Sequence, residues 1–246
     1  MQLEAPFRWE GDHIAAEVDG ARALFTTRRG GVSEGPFASL NLGRKTNDDG
    51  ANVDENRARL AQLTGCPREQ FLYGWQVHGA TVRRATEPPS AERAVSQEDG
   101  QATGLARHPA LAFGADCQPI LLVTDGAVAA LHAGWRAMAA GIVAEGVAAL
   151  RDCGGHGAVT ALIGPGARAC CYEVGEEVHA VFERYDARQG ERNLDLAAIG
   201  RAKLAEQGVT AVHDVGLCTM CCFGLFFSHR RDGGVTGRQA GIVWRV

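Results

Sequence analysis

The chain reads as an α+β protein with mixed β-sheets. Three observations predict this. Strand-like apolar runs are frequent, helical patterns are fewer, and the two mix without the strict strand-helix alternation of a doubly wound sheet. Taken in order, stretches rich in aliphatic, aromatic and β-branched residues fall at residues 21–27, 71–77, 111–115, 120–123, 128–132, 159–163, 209–212, 226–228 and 242–244. Helical patterns fall at 52–63, closed by Gly65 and Pro67, then at 137–151 and 176–185, and from Asp195, a good N-cap, to about Gln207. The stretch at 87–100 carries Pro88, Pro89, Glu92, Glu98 and Asp99, and it reads as a surface loop. With 246 residues and 46% hydrophobic content, the expectation is one domain spanning residues 1–246 around a sizeable core.

Charge narrows the function. Lys and Arg number 25 against 29 Asp and Glu, a net charge of −4, which argues against nucleic acid or an anionic membrane as the main partner. The apolar runs near 119–123 and 127–135 are cut by Asp125 and Arg136, too short for a membrane span. The first residues have no basic patch followed by an apolar stretch, so they do not read as a signal peptide, and the expected location is cytoplasmic. In a reducing compartment the eight cysteines are thiols or metal ligands rather than disulfide partners.

The informative stretch runs from Gly114 to Arg136. Asp125-Gly126 between two apolar runs predicts a hairpin with a type I′ turn, whose two central residues need positive φ. Residue 124 then faces 127, and Pro119 faces His132. Cys117, two residues before Pro119, shares its face and becomes a diagonal neighbour of His132, about 7–8 Å away or less between Cβ atoms. Pro119 cannot donate to a ladder, so its strand is an edge or is just beginning there. A thiol beside an imidazole supports either a nucleophile activated by a base or a Zn²⁺ site, and a small buried thiol beside a core histidine is the bland alternative. His78, at the end of Gly74-Trp-Gln-Val-His-Gly79, is the candidate third ligand. Gln76, two residues earlier on the same face, is placed to orient a ligand or bond a substrate.

Other motifs carry less. Gly164-Pro-Gly-Ala-Arg-Ala169 fits a dinucleotide fingerprint, but Cys170-Cys-Tyr-Glu-Val follows where a helix is required. Cys218 and Cys221 have Cys-x-x-Cys spacing without a second matching pair, so they read as packing thiols, as do Cys170 and Cys171. There is no Gly-x-x-x-x-Gly-Lys-Ser/Thr loop.

Seven segments in order resemble the YfiH-type family: Thr26-Thr-Arg-Arg-Gly-Gly-Val-Ser-Glu-Gly-Pro-Phe-Ala-Ser-Leu-Asn-Leu-Gly43, Trp75-Gln-Val-His, Ala115-Asp-Cys, His132-Ala-Gly-Trp-Arg, Gly164-Pro-Gly, Cys171-Tyr-Glu-Val-Gly and Phe226-Phe-Ser-His-Arg-Arg-Asp. Members of that family are also called laccase-domain or polyphenol oxidase proteins, peptidoglycan editing factors and zinc-dependent purine nucleoside phosphorylases. Thr236-Gly-Arg-Gln239 matches as well, and His229 stands where many relatives have Tyr. The resemblance implies an α/β/β/α sandwich and a zinc site made by His78, Cys117 and His132, with copper as the other candidate metal. The separation from Cys117 to His132 is short for the family, which a trimmed hairpin tip explains without changing strand parity. The resemblance further implies phosphorolysis of adenosine, inosine, guanosine and methylthioadenosine, with adenosine deamination as a companion activity.

Phosphorolysis needs a bound phosphate. Arg28, beside Gly30-Gly31, and Arg136, beside the third ligand, are the first candidates to hold it, with Arg230 and Arg238 as second choices. Asn41 is a candidate for bonding base or ribose, or equally for stabilising a turn. The implied partners are a purine nucleoside and phosphate; the oligomeric state is left open. There are two alternatives: a hydrolase removing a wrongly incorporated amino acid from a peptidoglycan precursor, which uses the same site, and a copper-dependent polyphenol oxidase, which needs a multicopper centre. The second is disfavoured because no two of the eight histidines are two residues apart.

Overall fold

The apolar run that follows Gln118 becomes the middle of the molecule. A computed structural model describes residues 2–89 and 96–246. Its strands are β1 (Arg8–Glu10), β2 (His13–Val18), β3 (Ala21–Phe25), β4 (Val82–Ala85), β5 (Gly100–Thr103), β6 (Ala110–Gly114), β7 (Gln118–Asp125), β8 (Ala127–Ala133), β9 (His156–Ile163), β10 (Arg188–Gln189), β11 (Asn193–Leu194), β12 (Ala211–Asp214) and β13 (Gln239–Arg245). One five-stranded antiparallel sheet has the order β1-β2-β3-β13-β6. A six-stranded mixed sheet has the order β12-β9-β7-β8-β5-β4, with parallel pairs at its two edges. The helices are α1 (Gly50–Thr64), α2 (Trp135–Ala139), α3 (Ile142–Asp152), α4 (Glu176–Val181) and α5 (Leu196–Glu206).

Side-chain alternation turns these elements into layers. Along β7, Leu121 and Val123 pack with Ile14, Phe25 and Val243 of the five-stranded sheet, while Ile120 and Leu122 pack with Ile142 of α3 and Ile199 of α5. Both faces of the strand are therefore buried, which is why its sequence is a continuous apolar run rather than an alternating one. On the far side of the five-stranded sheet, Leu60 of α1 packs with Leu24 and Ile242. The order is α/β/β/α, with the sheets as the two inner layers.

The β7–β8 hairpin has the register its sequence predicts, Thr124 opposite Ala127 and Pro119 opposite His132. The turn differs: Gly126 has φ 88°, but Asp125 does not adopt positive φ, so the turn is not type I′. β7 is a central strand, and Pro119 is tolerated because it is the second residue of the strand.

Several boundaries move for local reasons. The expected helix 137–151 breaks into α2 and α3 at Gly141, which sits at φ 93°. Segment 176–185 is α4 followed by a single 3₁₀ turn. Asp49 caps α1 by accepting from Ala51 N, and Asp195 caps α5 by accepting from Ala198 N at 2.9 Å. Segment 71–77 is not a strand; it contributes single bridges from Leu72 to Ala110 and from Trp75 to Gln97. Segment 226–228 also lacks a strand, because the Gln239 side-chain amide bonds Phe227 N and O at 2.9 and 3.1 Å in place of a ladder. Of the expected surface loop 87–100, residues 90–95 lie outside the described residues, whereas Glu98 and Asp99 are buried.

Candidate metal centre and binding cavity

Cys117 directly precedes β7 and His132 is the penultimate residue of β8. Their side chains follow the parity of Leu121 and Val128, which face the opposing sheet, so both open onto the end of the inter-sheet layer. His78 arrives from the segment before β4, with its backbone at φ 63°. Ligand atoms of His78, Cys117 and His132 all lie within 4.8 Å of one another, and the two imidazole rings meet edge to face at 4.9 Å.

One carboxylate arranges the trio. Asp99 Oδ2 accepts from Val77 N at 3.0 Å and Gly79 N at 2.8 Å, and Oδ1 accepts from His78 N at 2.9 Å and from His132 Nδ1 at 2.8 Å. The turn that presents His78 and the tautomer of His132 thus depend on the same group, and Nε2 of His132 is left for a ligand. Burial opposes the ionisation of Asp99, but the hydrogen bonds from His132, Val77 and Gly79 outweigh it and hold the carboxyl below its usual range. Burial likewise opposes a Cys117 thiolate. The charge of His132 and hydrogen bonds from both histidines overcome it and bring the thiol down to about 6, while the Cys117 charge and Asp99 lift His132 to about 9 against its own burial. Both shifts have one cause, the closeness of the thiol to the imidazole, and a cation bound between them would displace the proton they share.

Close packing is built in. A Cβ at Gly134 would lie 2.7 Å from Cys117 Sγ and 3.3 Å from His78 Cδ2, so any side chain there would displace the thiol or the backbone. Asp116, at φ 101°, accepts from Thr219 Oγ1 and from Arg230 N, both at 2.7 Å, which locks the residue before Cys117 to two distant loops.

The three ligands line a cavity of about 620 Å³ together with Tyr73, Trp75, Phe113, Trp135 and Tyr172. Its basic residues are Arg44, Lys45, Arg57, Arg136, Arg230 and Arg238. Arg136 lies over the Trp135 ring at 4.3 Å and forms no ion pair among the described residues. Arg230 lies over Tyr172 and donates to Glu173 O at 2.7 Å; Arg238 donates to Thr236 O and Gly237 O. Buried Arg57 donates to Leu42 O and stacks on Tyr73 and Phe113, so it supports the aromatic wall. Tyr172 keeps its proton: burial and the Cys117 charge push its phenol up to about 12.

Three residues expected from sequence sit elsewhere or do other work. Arg28 does not line the cavity. Its Nε donates to Ala38 O at 2.7 Å, its Nη1 to Phe223 O at 3.3 Å, and it covers the Phe227 ring. Asn41 is buried outside the cavity lining. It donates to Thr46 Oγ1 and Asp48 Oδ2 and accepts from Gly43 N and Arg238 N, which is the turn-stabilising role. Gln76 does line the cavity, but its amide is spent on Phe113 O and N at 2.7 and 2.8 Å.

A family described as multi-copper polyphenol oxidoreductase laccase matches residues 22–246. The chain belongs to that family. It is similar to a protein of Corynebacterium glutamicum named purine nucleoside phosphorylase, 38% identical over 232 residues, covering 91% of this chain and 94% of the relative. It is also similar to the Escherichia coli purine nucleoside phosphorylase YfiH, 34% identical over 237 residues, covering 92% and 95%. Among crystal structures, YlmD from Geobacillus stearothermophilus superposes with a TM-score of 0.89 at 34% identity, covering 97% of this chain and 98% of the other. The Bacillus licheniformis hypothetical protein YfiH gives 0.90 at 30%, covering 99% and 100%.

Within this YfiH-type site, sequence reading missed Asp99, Asp116, Gly134 and Tyr172. Both Asp116, next to Cys117, and Gly134, two residues after His132, lie inside the matched motifs, where packing demands fall hardest. Asp99 carries a weak signal, the last acidic residue before the small-residue strand that starts at Gly100.

Proposed function

We propose that this chain is a zinc-dependent purine nucleoside phosphorylase acting on small nucleosides in the cytoplasm. The observation that carries the reading is the His78, Cys117 and His132 donor set at the wall of an aromatic cavity that also holds uncommitted positive charge. The donors suit zinc: two imidazoles, one already fixed in its tautomer, and a thiol that ionises near neutrality, with three protein ligands leaving a position open. When bound, the ion supplies Lewis-acid polarisation at that open position. A multicopper centre draws on several closely paired histidines, and the described residues offer only two in the candidate sites.

The chain's own residues divide the remaining work. Cleaving the bond between purine and ribose C1′ leaves positive charge on the sugar and negative charge on the base. The aromatic walls stack the purine, and the Tyr172 phenol, held protonated, is a hydrogen-bond donor for it. Arg136, Arg230 and Arg238 hold the phosphate that attacks C1′, with guanidinium forks matched to its oxygens. Asp99 keeps the His132 Nδ1 proton in place throughout. Adenosine deamination and methylthioadenosine cleavage extend the same reading, since both use a purine in this cavity.

The test is purine release from inosine, adenosine, guanosine and methylthioadenosine by zinc-loaded protein, with and without phosphate. Phosphate-dependent formation of ribose 1-phosphate, or of 5-methylthioribose 1-phosphate from methylthioadenosine, is expected. Absence of purine release from all four would overturn the reading.

A further inference from the structure

Two pairs of cysteines some fifty positions apart meet on the surface. Cys170 and Cys171 lie in the segment after β9, and Cys218 and Cys221 lie in the segment after β12. A parallel bridge between Gly166 and Cys218 sets the segments side by side, with Thr219 N donating to Gly166 O at 3.0 Å. The Cys221 sulfur is 3.1 Å from that of Cys171 and 3.5 Å from that of Cys170, and all four Sγ atoms lie within 4.8 Å of one another. The second pair that the Cys-x-x-Cys spacing lacks in sequence is therefore supplied by the fold.

The spacing suits a tetrahedral ion. Sulfurs at about 2.3 Å from zinc stand about 3.8 Å apart, whereas a disulfide needs about 2.05 Å. Exposed Cys170 and Cys221 leave a path for the ion to enter.

We infer that Cys170, Cys171, Cys218 and Cys221 bind one Zn²⁺ as a closed tetrathiolate site, separate from the His78, Cys117 and His132 centre. Four protein ligands leave no position for substrate, so the site is structural. It clamps the loop that carries Tyr172, part of the cavity wall, to the segment whose Thr219 hydroxyl holds Asp116 beside Cys117. The ion fixes one side of the cavity without touching substrate.

Counting zinc in protein purified under reducing conditions tests this. The natural chain is expected to carry two zinc ions, a Cys117→Ala, His132→Ala variant one, and a Cys170→Ser, Cys221→Ser variant one. Cobalt added to the metal-free Cys117→Ala, His132→Ala variant should give the strong charge-transfer spectrum of tetrahedral thiolate coordination, saturating at one equivalent. If either double variant unfolds, Cys170→Ser alone in the natural chain should weaken one zinc and spare the other. Zinc content unchanged by the Cys170 and Cys221 substitutions, or a disulfide joining any two of the four in the purified protein, would overturn the site. Loss of phosphorolysis with both zinc ions retained would instead count against the proposed activity.

Discussion

Asp99 Oδ1 lies 2.8 Å from His132 Nδ1 and shares its carboxylate with the backbone of the turn that presents His78. The ligand trio is consequently organised from one buried point. Replacing Asp99 with Asn keeps the shape but removes the charge and turns an amide N–H₂ toward groups that are themselves donors. Asp99→Asn should lower zinc affinity about 10–100-fold, the usual cost of losing a partner behind a ligating histidine. Competition with a chromophoric chelator measures it, and an affinity equal to that of the natural protein would refute the assignment.

Gly134 is the second such point. An alanine methyl at 2.7 Å from Cys117 Sγ forces the thiol or the backbone to move. Gly134→Ala is expected to cut metal affinity by about tenfold or more, roughly 1.4 kcal/mol or above, while far-UV circular dichroism stays unchanged. Natural affinity in a folded Gly134→Ala protein would show that the contact is slack.

How much of this was legible in the sequence follows from the range of the interactions. The Pro119 and His132 pairing needed only a two-residue turn and strand parity, both local, and it survived even though Asp125 does not take the backbone angle a type I′ turn requires. Asp99 was hidden because nothing in the polar stretch around it reveals that β5 pairs with β8, which puts its carboxylate under His132. Arg28 was misplaced because neighbouring glycines do not say which carbonyls receive a guanidinium, and one of its acceptors, Phe223 O, is 195 positions away. β2 escaped notice because His13 to Ala16 are all buried, which hides the alternation of a half-buried strand.

His13 makes stability depend on pH. Burial holds its imidazolium below the ordinary 6.5, against the pull of Asp12 and Glu10, and its Nδ1 accepts from Thr27 N at 3.2 Å. As pH falls through 6.5 the unfolded chain binds this proton and the folded chain does not, so stability present above 6.5 is lost down to the folded pKa. The urea midpoint should drop between about pH 7.5 and about pH 5.5, and it should drop less in His13→Gln, which keeps an acceptor but does not titrate. Equal drops would remove His13 from the account.

The arginines separate phosphate binding from support of the fold. Arg136 is stacked on Trp135 with no ion pair among the described residues, so its charge is available to an anion entering the cavity. Arg136→Ala should raise the KM for phosphate about 10–100-fold, since a charge-assisted bond to phosphate contributes on the order of 1.5–3 kcal/mol. Adenosine is the substrate to use, because phosphorolysis and deamination can then be followed in one preparation. Deamination and zinc content should fall much less, as neither needs the anion. Arg28→Ala should behave in the opposite way. Its guanidinium is committed to Ala38 O, Phe223 O and the Phe227 ring, so its loss should cost about 1–3 kcal/mol of stability and leave the KM for phosphate nearly unchanged. If instead Arg136→Ala leaves phosphate dependence intact, the anion is held by Arg230 and Arg238, whose guanidinium groups also donate to backbone carbonyls, and the Arg136 assignment fails.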